Sequence, residues 1–169
     1  MLLIKNKDGF TLIELILVIA IIGIIASYLG SPLITGFNFF QMDINNINVQ
    51  KDLRFSSNMI ITYSKFAKSI SLIDSAPGSF ATGESCIILE NGKIKYKNSG
   101  GERIWTESTI TDLAFHLRQK GSGENVLEFS ITGNNGGETF TIDSQVLLNN
   151  ISGQAEDTTD YIGVLITSN

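Results

Sequence analysis

One run of apolar residues near the amino terminus constrains this chain more than any other feature. Phe10 to Leu29 is a stretch of 20 residues in which Glu14 is the only charged residue. A helix rises 1.5 Å per residue, so about 20 residues cross the roughly 30 Å hydrocarbon core of a bilayer. An ionisable group in such a helix costs roughly 2.5 to 3.5 kcal/mol at its centre and less near its end. The run therefore predicts a membrane-spanning helix, and Glu14 indicates a function that needs a partner.

Two ordinary explanations leave part of this run unaccounted for. A secretory signal peptide has an uncharged apolar region of roughly 7 to 15 residues followed by a small-residue cleavage site. Ala26-Ser27-Tyr28 and Gly30-Ser31 would be weak sites of that kind, and Glu14 interrupts the apolar region. A plain uncleaved anchor explains the length and the basic flank, but it does not explain Gly9 or Glu14.

The segment Gly9-Phe10-Thr11-Leu12-Ile13-Glu14 resembles the processing and assembly signature of the type IV pilin superfamily, which includes prepilins and the pseudopilins of type II secretion. In that family the prepilin peptidase, a membrane aspartyl peptidase, cuts after the glycine and N-methylates the new first residue. The resemblance implies cleavage between Gly9 and Phe10, N-methylation of Phe10 and an assembly role for Glu14. It further implies a structural subunit whose partners are other pilin or pseudopilin subunits and an inner-membrane assembly platform.

Physical chemistry makes these implied roles sensible. Glycine has no side chain and resists helix continuation, which leaves the backbone after Gly9 open to a protease. Cleavage would create a cationic α-amine on Phe10. That amine would lie at the membrane depth of Glu14 of a neighbouring subunit, and two subunits can pair charges that neither could bury alone. We therefore expect Glu14 to set the axial register between subunits.

The residues before the apolar run predict its orientation. Lys5 and Lys7 outweigh Asp8, which favours a cytoplasmic location for residues 1–9 under the positive-inside rule. We expect a single-pass protein of the inner or cytoplasmic membrane, with its leader in the cytoplasm and its head in the periplasm or outside the cell. Assembly would convert it into part of a filament.

Four segments are expected along the chain: a prepilin leader at 1–9, a transmembrane and assembly helix at 10–29, an amphipathic continuation of that helix at 30–72, and a β-rich head at 73–169. Pro32 should loosen the helix without ending it. Ala76-Pro77-Gly78 is expected to close it. Apolar residues at helical spacing carry this prediction, namely Leu33, Phe37, Phe40, Ile44 and Ile47, then Leu53, Ile60, Tyr63, Ala67 and Ile70.

The aromatic group Phe37, Phe39 and Phe40 has two interpretations. These rings could pack between subunits in the core of a filament. They could instead form a membrane-interface belt or part of the core of the head. The sequence favours neither, and both could hold at different stages.

Beyond Gly83 the pattern changes to short strands. Glu90-Asn91-Gly92-Lys93 predicts a type I′ hairpin turn, because Asn-Gly tolerates the positive φ angles that this turn requires. Later strands are predicted from alternating apolar residues, namely Leu113, Phe115 and Leu117, then Leu127, Phe129 and Ile131, then Phe140, Ile142, Val146 and Leu148. The fold class expected is α+β, with a long N-terminal helix packed on a small antiparallel β-sheet head, as in pilins.

Residues 85–150 are also similar, through diffuse motifs, to the J-type minor pseudopilins and related minor pilins. Cys86 is the only cysteine, so the paired-cysteine loop of many major pilins is absent. Both features favour a minor subunit, at the tip or in initiation. Cys86 itself begins an apolar run and is expected to be a small buried residue rather than a disulfide or lipid-attachment site.

No catalytic, cofactor or metal site is predicted in the head, and we expect no enzyme activity. His116 is the only histidine, and no acidic neighbour in sequence orients it for a catalytic dyad with Cys86. Glycine pairs such as Gly136-Gly137 lack the Gly-Lys-Ser/Thr that a phosphate loop requires. Glu156-Asp157-Thr158-Thr159-Asp160 could bind calcium or form a solvated acidic turn, and it does not match the 12-residue calcium loop.

Nucleic acid is not expected as a partner. The formal net charge is −5, which makes the chain a poor general binder of polyanions. Lys93, Lys95 and Lys97 share one face of a predicted strand, where they could contact DNA or protect a sheet edge from aggregation. The alternative function left open by the sequence is an adhesin or a DNA-uptake (competence) pilin whose head binds a ligand.

Overall fold

The computed structural model describes residues 10–120, 123–152 and 157–168. Those ranges contain one long helix followed by nine strands. The elements are α1 (Leu12–Lys65), β1 (Ser69–Ile73), β2 (Glu84–Glu90), β3 (Lys93–Asn98), β4 (Gly101–Ile104), β5 (Thr109–Gln119), β6 (Glu124–Asn134), β7 (Thr139–Ser152), β8 (Asp157–Tyr161) and β9 (Gly163–Thr167).

The chain divides into two compact units, one ending at Asp43 and one covering Ile44–Asn169. In the first unit the described residues are Phe10, Thr11 and the first part of α1, and all of them are exposed. The second unit contains the rest of α1 and all nine strands. We refer to this second unit as the head.

Nine strands form two antiparallel sheets in the head. The first has the order β1-β9-β2-β3-β4, and the second has the order β7-β6-β5-β8. Both β1 and β2 run antiparallel to β9, so they are parallel to each other and the 74–83 connection must cross β9. The last strand of the chain is therefore an inner strand of the first sheet.

One hydrophobic core joins the helix to both sheets. Within the head, α1 buries Val49, Leu53 and Ile60 together with three serines. The sheets contribute alternating residues to the same core, and among the most deeply buried are Ile70, Ile87, Ile94, Ile110, Leu113, Phe115, Leu127, Ile131, Val164 and Ile166. The expected fold class, a long N-terminal helix packed on an antiparallel β head, is confirmed.

The prediction that the helix continues through residues 30–72 is wrong at its carboxyl end. Helix α1 ends at Lys65, and Ser69–Ile73 form strand β1 instead. Ile70 and Leu72 pair with Ile166 and Val164 of β9, which lies almost a hundred residues further along the chain. This long-range pairing outweighs the local helical spacing. The predicted stop at Ala76-Pro77-Gly78 consequently lies in the connection after β1 rather than at the end of the helix.

The hairpin prediction is confirmed. Asn91 has a φ of 52° and Gly92 a φ of 70°, and the turn joins β2 to β3 in the expected register. The apolar alternation in β5 and β6 is confirmed as well, because Leu113, Phe115 and Leu117 point into the core while His116 lies on the other face. Strands β1, β8 and β9 were not predicted.

Candidate functional site

The amino end of α1 is organised by Thr11 and Glu14. Glu14 Oε2 accepts hydrogen bonds from the Thr11 backbone N–H at 2.9 Å and from the Thr11 hydroxyl at 2.9 Å. In return, the Glu14 backbone N–H points at Thr11 Oγ1 at 3.4 Å. This reciprocal arrangement is a capping box, in which two side chains satisfy donors that the first helical turn leaves unpaired.

This capping box fixes where the helix begins. Phe10 precedes it and is 85% exposed, so its backbone lies outside the helix. Gly9 and the rest of the leader lie outside the described residues. The Thr-x-x-Glu spacing from Thr11 to Glu14 is the usual sequence sign of a capping box, and it was a signal that the sequence interpretation did not use.

Apolar side chains remain exposed along α1 well beyond the length needed to cross a bilayer. Exposed large hydrophobic residues extend from Leu12 to Ile47, a helical length of about 54 Å at 1.5 Å per residue. Phe37, Phe39 and Phe40 are all more than 60% exposed. Exposed polar residues Asn38, Gln41 and Asp43 lie among and beside them, whereas the segment 15–26 is exposed and apolar around its whole circumference. A helix of this kind is normally buried in lipid or among other helices.

Among the described residues, α1 is the one helix with the length and composition to span a membrane. Pro32 lies inside this helix and does not end it, as predicted. Ser27 donates its hydroxyl proton to the Gly23 carbonyl oxygen at 2.8 Å, which removes the need for a polar partner outside the helix. Within 10–29, Glu14 is the only charged residue.

Cys86 and His116 do not form a catalytic pair. Cys86 is fully buried in β2, where desolvation raises the pKa of its thiol to about 11, so it stays protonated at neutral pH. His116 lies on β5, in the other sheet. The structure does give His116 an acidic neighbour, because its Nε2 lies 2.5 Å from Asp160 Oδ1 on β8. Asp160 is 44 residues from His116 along the chain, so the sequence did not reveal this pairing.

The three lysines on one face of β3, Lys93, Lys95 and Lys97, form a row, and each bonds to carboxylate or carbonyl oxygens of the protein. Lys95 contacts Glu102 at 2.8 Å, Lys97 contacts Glu90 at 2.6 Å, and each lysine also reaches the other glutamate. Lys93 donates hydrogen bonds to the carbonyl oxygens of residues 107 and 108. The row is therefore not a free basic surface for DNA.

Most of the acidic segment 156–160, for which a calcium site or a solvated turn was considered, lies in strand β8. Asp157 accepts hydrogen bonds from the Thr159 N–H and the Tyr161 hydroxyl, each at 3.0 Å, and the first of these is the main reason that the pKa of Asp157 is lowered. Asp160 pairs with His116. Glu156 lies outside the described residues. In the part of the chain that the structure covers, no group of three or more metal-binding side chains is present.

Comparison with known proteins relates these features to a family model and to a solved structure. Residues 4–29 match the family model for the prokaryotic N-terminal methylation motif. No curated protein matches the chain. Its structure is similar to that of a mutant of the PilB minor pilin from Streptococcus sanguinis, with a TM-score of 0.52 and 14% sequence identity. The similarity covers 73% of this chain and 35% of that one, so this chain spans about a third of the length of its structural neighbour.

The motif and the fold support the resemblance noted in the sequence by independent routes. The motif match includes Gly9, Phe10 and Glu14, and the structural match covers most of the chain. The apolar helix α1 fits a membrane-anchored protein. The amino terminus thus carries a prokaryotic N-terminal methylation motif, and the fold is similar to that of a minor pilin.

Proposed function

We propose that this chain is a minor structural subunit of a type IV pilus or a type II secretion pseudopilus. Prepilin peptidase cuts between Gly9 and Phe10 and methylates the Phe10 amine. The mature chain then assembles through α1 with other pilin or pseudopilin subunits at an inner-membrane platform. Its head lies in the periplasm or outside the cell. As a minor subunit it takes a tip or initiating position in the filament.

The observation that carries this proposal is the length of exposed apolar helix. A bilayer covers roughly 30 Å, whereas exposed hydrophobic residues of α1 extend for about 54 Å, from Leu12 to Ile47. The remainder would be in water in an isolated subunit. Burying apolar area contributes about 25 cal/mol per Å², so packing this helix among equivalent helices is strongly favourable. A filament core supplies that environment along the whole length.

Glu14 supports a specific register for this packing. In the free chain its Oε2 is occupied by Thr11, while Oε1 accepts no hydrogen bond from any residue in the described ranges. Cleavage before Phe10 would leave a cation one residue from Thr11. The amine of one subunit can then pair with Oε1 of the next, and this pairing offsets the cost of placing both charges in an apolar surrounding.

Mass spectrometry of the amino terminus tests the processing step. We expect the protein from cells with prepilin peptidase to begin at N-methylated Phe10, and the protein from cells without it to retain residues 1–9. A native chain that begins at Met1 in both strains, or downstream of Ala26, would overturn the proposal.

Assembly is tested separately with Glu14→Gln, which removes the charge and keeps the shape. Breaking a buried ion pair costs several kcal/mol, so filament incorporation should fall by about tenfold or more while cleavage and membrane insertion persist. Quantitative blotting of sheared filaments and membranes measures both. Ser27→Ala is the matched control on the same helix, and it should assemble normally. Normal incorporation of Glu14→Gln would refute the assembly role.

A further inference from the structure

We propose that the head carries a binding site for a neutral oligosaccharide, in a cleft between α1, the loop before β5 and the β6–β7 turn. This inference goes beyond the assembly role and does not depend on it. The cleft has a volume of about 670 Å³, within the range of roughly 300 to 1,000 Å³ that is usual for ligand sites. The residues that line it include the buried Val49 and the polar residues Asn45, Asn48, Ser108 and Asn134.

The walls of the cleft are held in place by their own hydrogen bonds. Asp52 Oδ2 accepts the backbone N–H groups of Glu107 at 2.8 Å and Ser108 at 2.7 Å. On the other side, Asn46 donates to Glu138 Oε2 at 2.9 Å and accepts a hydrogen bond from the Asn135 side chain. Both loops are thereby fixed to α1. A site whose walls are already ordered loses less conformational entropy when a ligand binds.

The main chain of the segment 107–110, on one side of the cleft, is largely engaged within the protein. Asp52 occupies the N–H groups of Glu107 and Ser108, and Lys93 donates to their carbonyl oxygens. The Ile110 N–H donates to the Gly92 carbonyl oxygen at 2.9 Å. An extended peptide recognises a sheet through free main-chain groups, so this arrangement disfavours a peptide ligand.

Side chains supply the recognition groups that remain. Within the described ranges, the side chains of five cleft residues make no hydrogen bond to the protein. They are Asn45, Asn48, Glu107, Ser108 and Thr109. Amide and carboxylate groups present paired hydrogen-bonding atoms, and hydroxyl groups both donate and accept, which matches the adjacent hydroxyls of a sugar.

Charge narrows the class of ligand further. Among the lining residues that the structure describes, Glu107 is the only charged one, and none is a lysine or an arginine. A sialylated or sulfated glycan would place an anion beside that carboxylate, and the neighbouring Lys93 ammonium is already bonded to the carbonyl oxygens of residues 107 and 108. The geometry therefore points to uncharged sugars.

The test uses the full chain in detergent micelles, applied to a printed array of neutral, sialylated and sulfated oligosaccharides. We expect binding to neutral glycans. Asn48→Ala should weaken the best of them by about tenfold, since two or more hydrogen bonds are lost. Asn58→Ala is the matched control, because Asn58 is an exposed asparagine on the same helix outside the cleft. It should bind as the unchanged protein does.

Other results would overturn the inference. These are no glycan bound above background, binding only to charged glycans, or equal binding by Asn48→Ala and Asn58→Ala. Urea unfolding followed by the fluorescence of Trp105, the only tryptophan, shows that each variant is folded. The amino-terminal processing test has a different readout, so failure of one proposal is distinguishable from failure of the other.

Discussion

Several single residues affect the stability of this protein through the hydrogen bonds that their side chains make or fail to make. Thr11 and Glu14 satisfy each other at the start of α1, and Asp52 accepts two backbone N–H groups from the loop before β5. In contrast, the hydroxyls of Ser56 and Ser64 are buried without a partner in the described part of the chain. Removing a group that has a hydrogen-bond partner should destabilise the protein, whereas removing a buried group without one should stabilise it.

Replacing Ser64 by alanine should stabilise the head. Ser64 is fully buried on the sheet-facing side of α1, and leaving a hydroxyl unpaired in such a place costs about 1 to 3 kcal/mol. Alanine also has the higher helix propensity. We expect Ser64→Ala to raise the free energy of unfolding by about 1 kcal/mol in urea titrations. Ser57→Ala is the control, because Ser57 is 7% exposed and should show a smaller gain.

Replacing Asp52 by alanine should loosen the loop before β5. The two N–H groups that Asp52 accepts would lose a charged partner, which costs about 1.5 to 3 kcal/mol. Hydrogen exchange of the Glu107 and Ser108 amides measures the effect directly and should accelerate. Asp52→Asn keeps an acceptor oxygen and should lose less. Unchanged exchange in Asp52→Ala would contradict the prediction.

Among the elements, close approach between strands and helix depends on two glycines. A Cβ atom added at Gly133 of β6 would lie 3.0 Å from Val49 Cγ1 and 3.3 Å from Leu53 Cδ2 on α1. A Cβ atom added at Gly163 of β9 would lie 2.9 Å from Ile88 Cγ1 and 3.1 Å from the Ile87 carbonyl oxygen. The first glycine lets the helix approach the second sheet, and the second lets β9 fit between its neighbours.

Gly163→Ala should therefore destabilise the first sheet. The Ile87 oxygen belongs to the backbone of β2 and cannot move aside as a side-chain terminus can, so overpacking should cost about 1 to 3 kcal/mol. Urea unfolding followed by Trp105 fluorescence measures this loss. Gly78→Ala is the control, because open space surrounds Gly78 and its φ is not positive, so its stability should change little. Equal stability of the two variants would refute this account of β9.

At the scale of the whole molecule, the head joins one helix and two sheets through a single core, while the outer face of the first sheet carries an ionic cluster. Hydrogen bonds from Lys97 and Lys95 hold the pKa values of Glu90 and Glu102, respectively, below their ordinary value. The same contacts raise the pKa values of both lysines. The charged forms of all four groups are thus favoured by folding.

This cluster predicts how stability depends on pH. For a carboxyl whose pKa is lowered by folding, the stabilisation is complete above its ordinary value of 4.5 and is lost as the pH falls through the lower folded value. The double variant Glu90→Gln/Glu102→Gln should be less stable than the unchanged protein at pH 7, and the difference should shrink as the pH falls below 4.5. Urea midpoints across this range measure it. A difference that persists unchanged at pH 3 would contradict the electrostatic explanation.

Local patterns predicted the elements whose partners lie nearby in sequence. The β2–β3 hairpin follows from Asn91-Gly92, and the inward faces of β5 and β6 follow from simple alternation. Strands β1 and β9 could not be found in this way, because Ile70 pairs with Ile166 across most of the chain. Likewise, the cleft residues Asn48 and Ser108 come together only after α1 and β5 pack in the head.

By itself, the sequence determined the apolar amino-terminal helix, the single carboxylate within it and the motif around Phe10, because chain length, hydrophobicity and residue spacing are local properties. Tertiary structure decided where α1 ends, that β9 is an inner strand of the first sheet, and which acid faces His116. These outcomes depend on hydrogen bonds and contacts between distant segments, whose energies appear only when the chain brings those segments together.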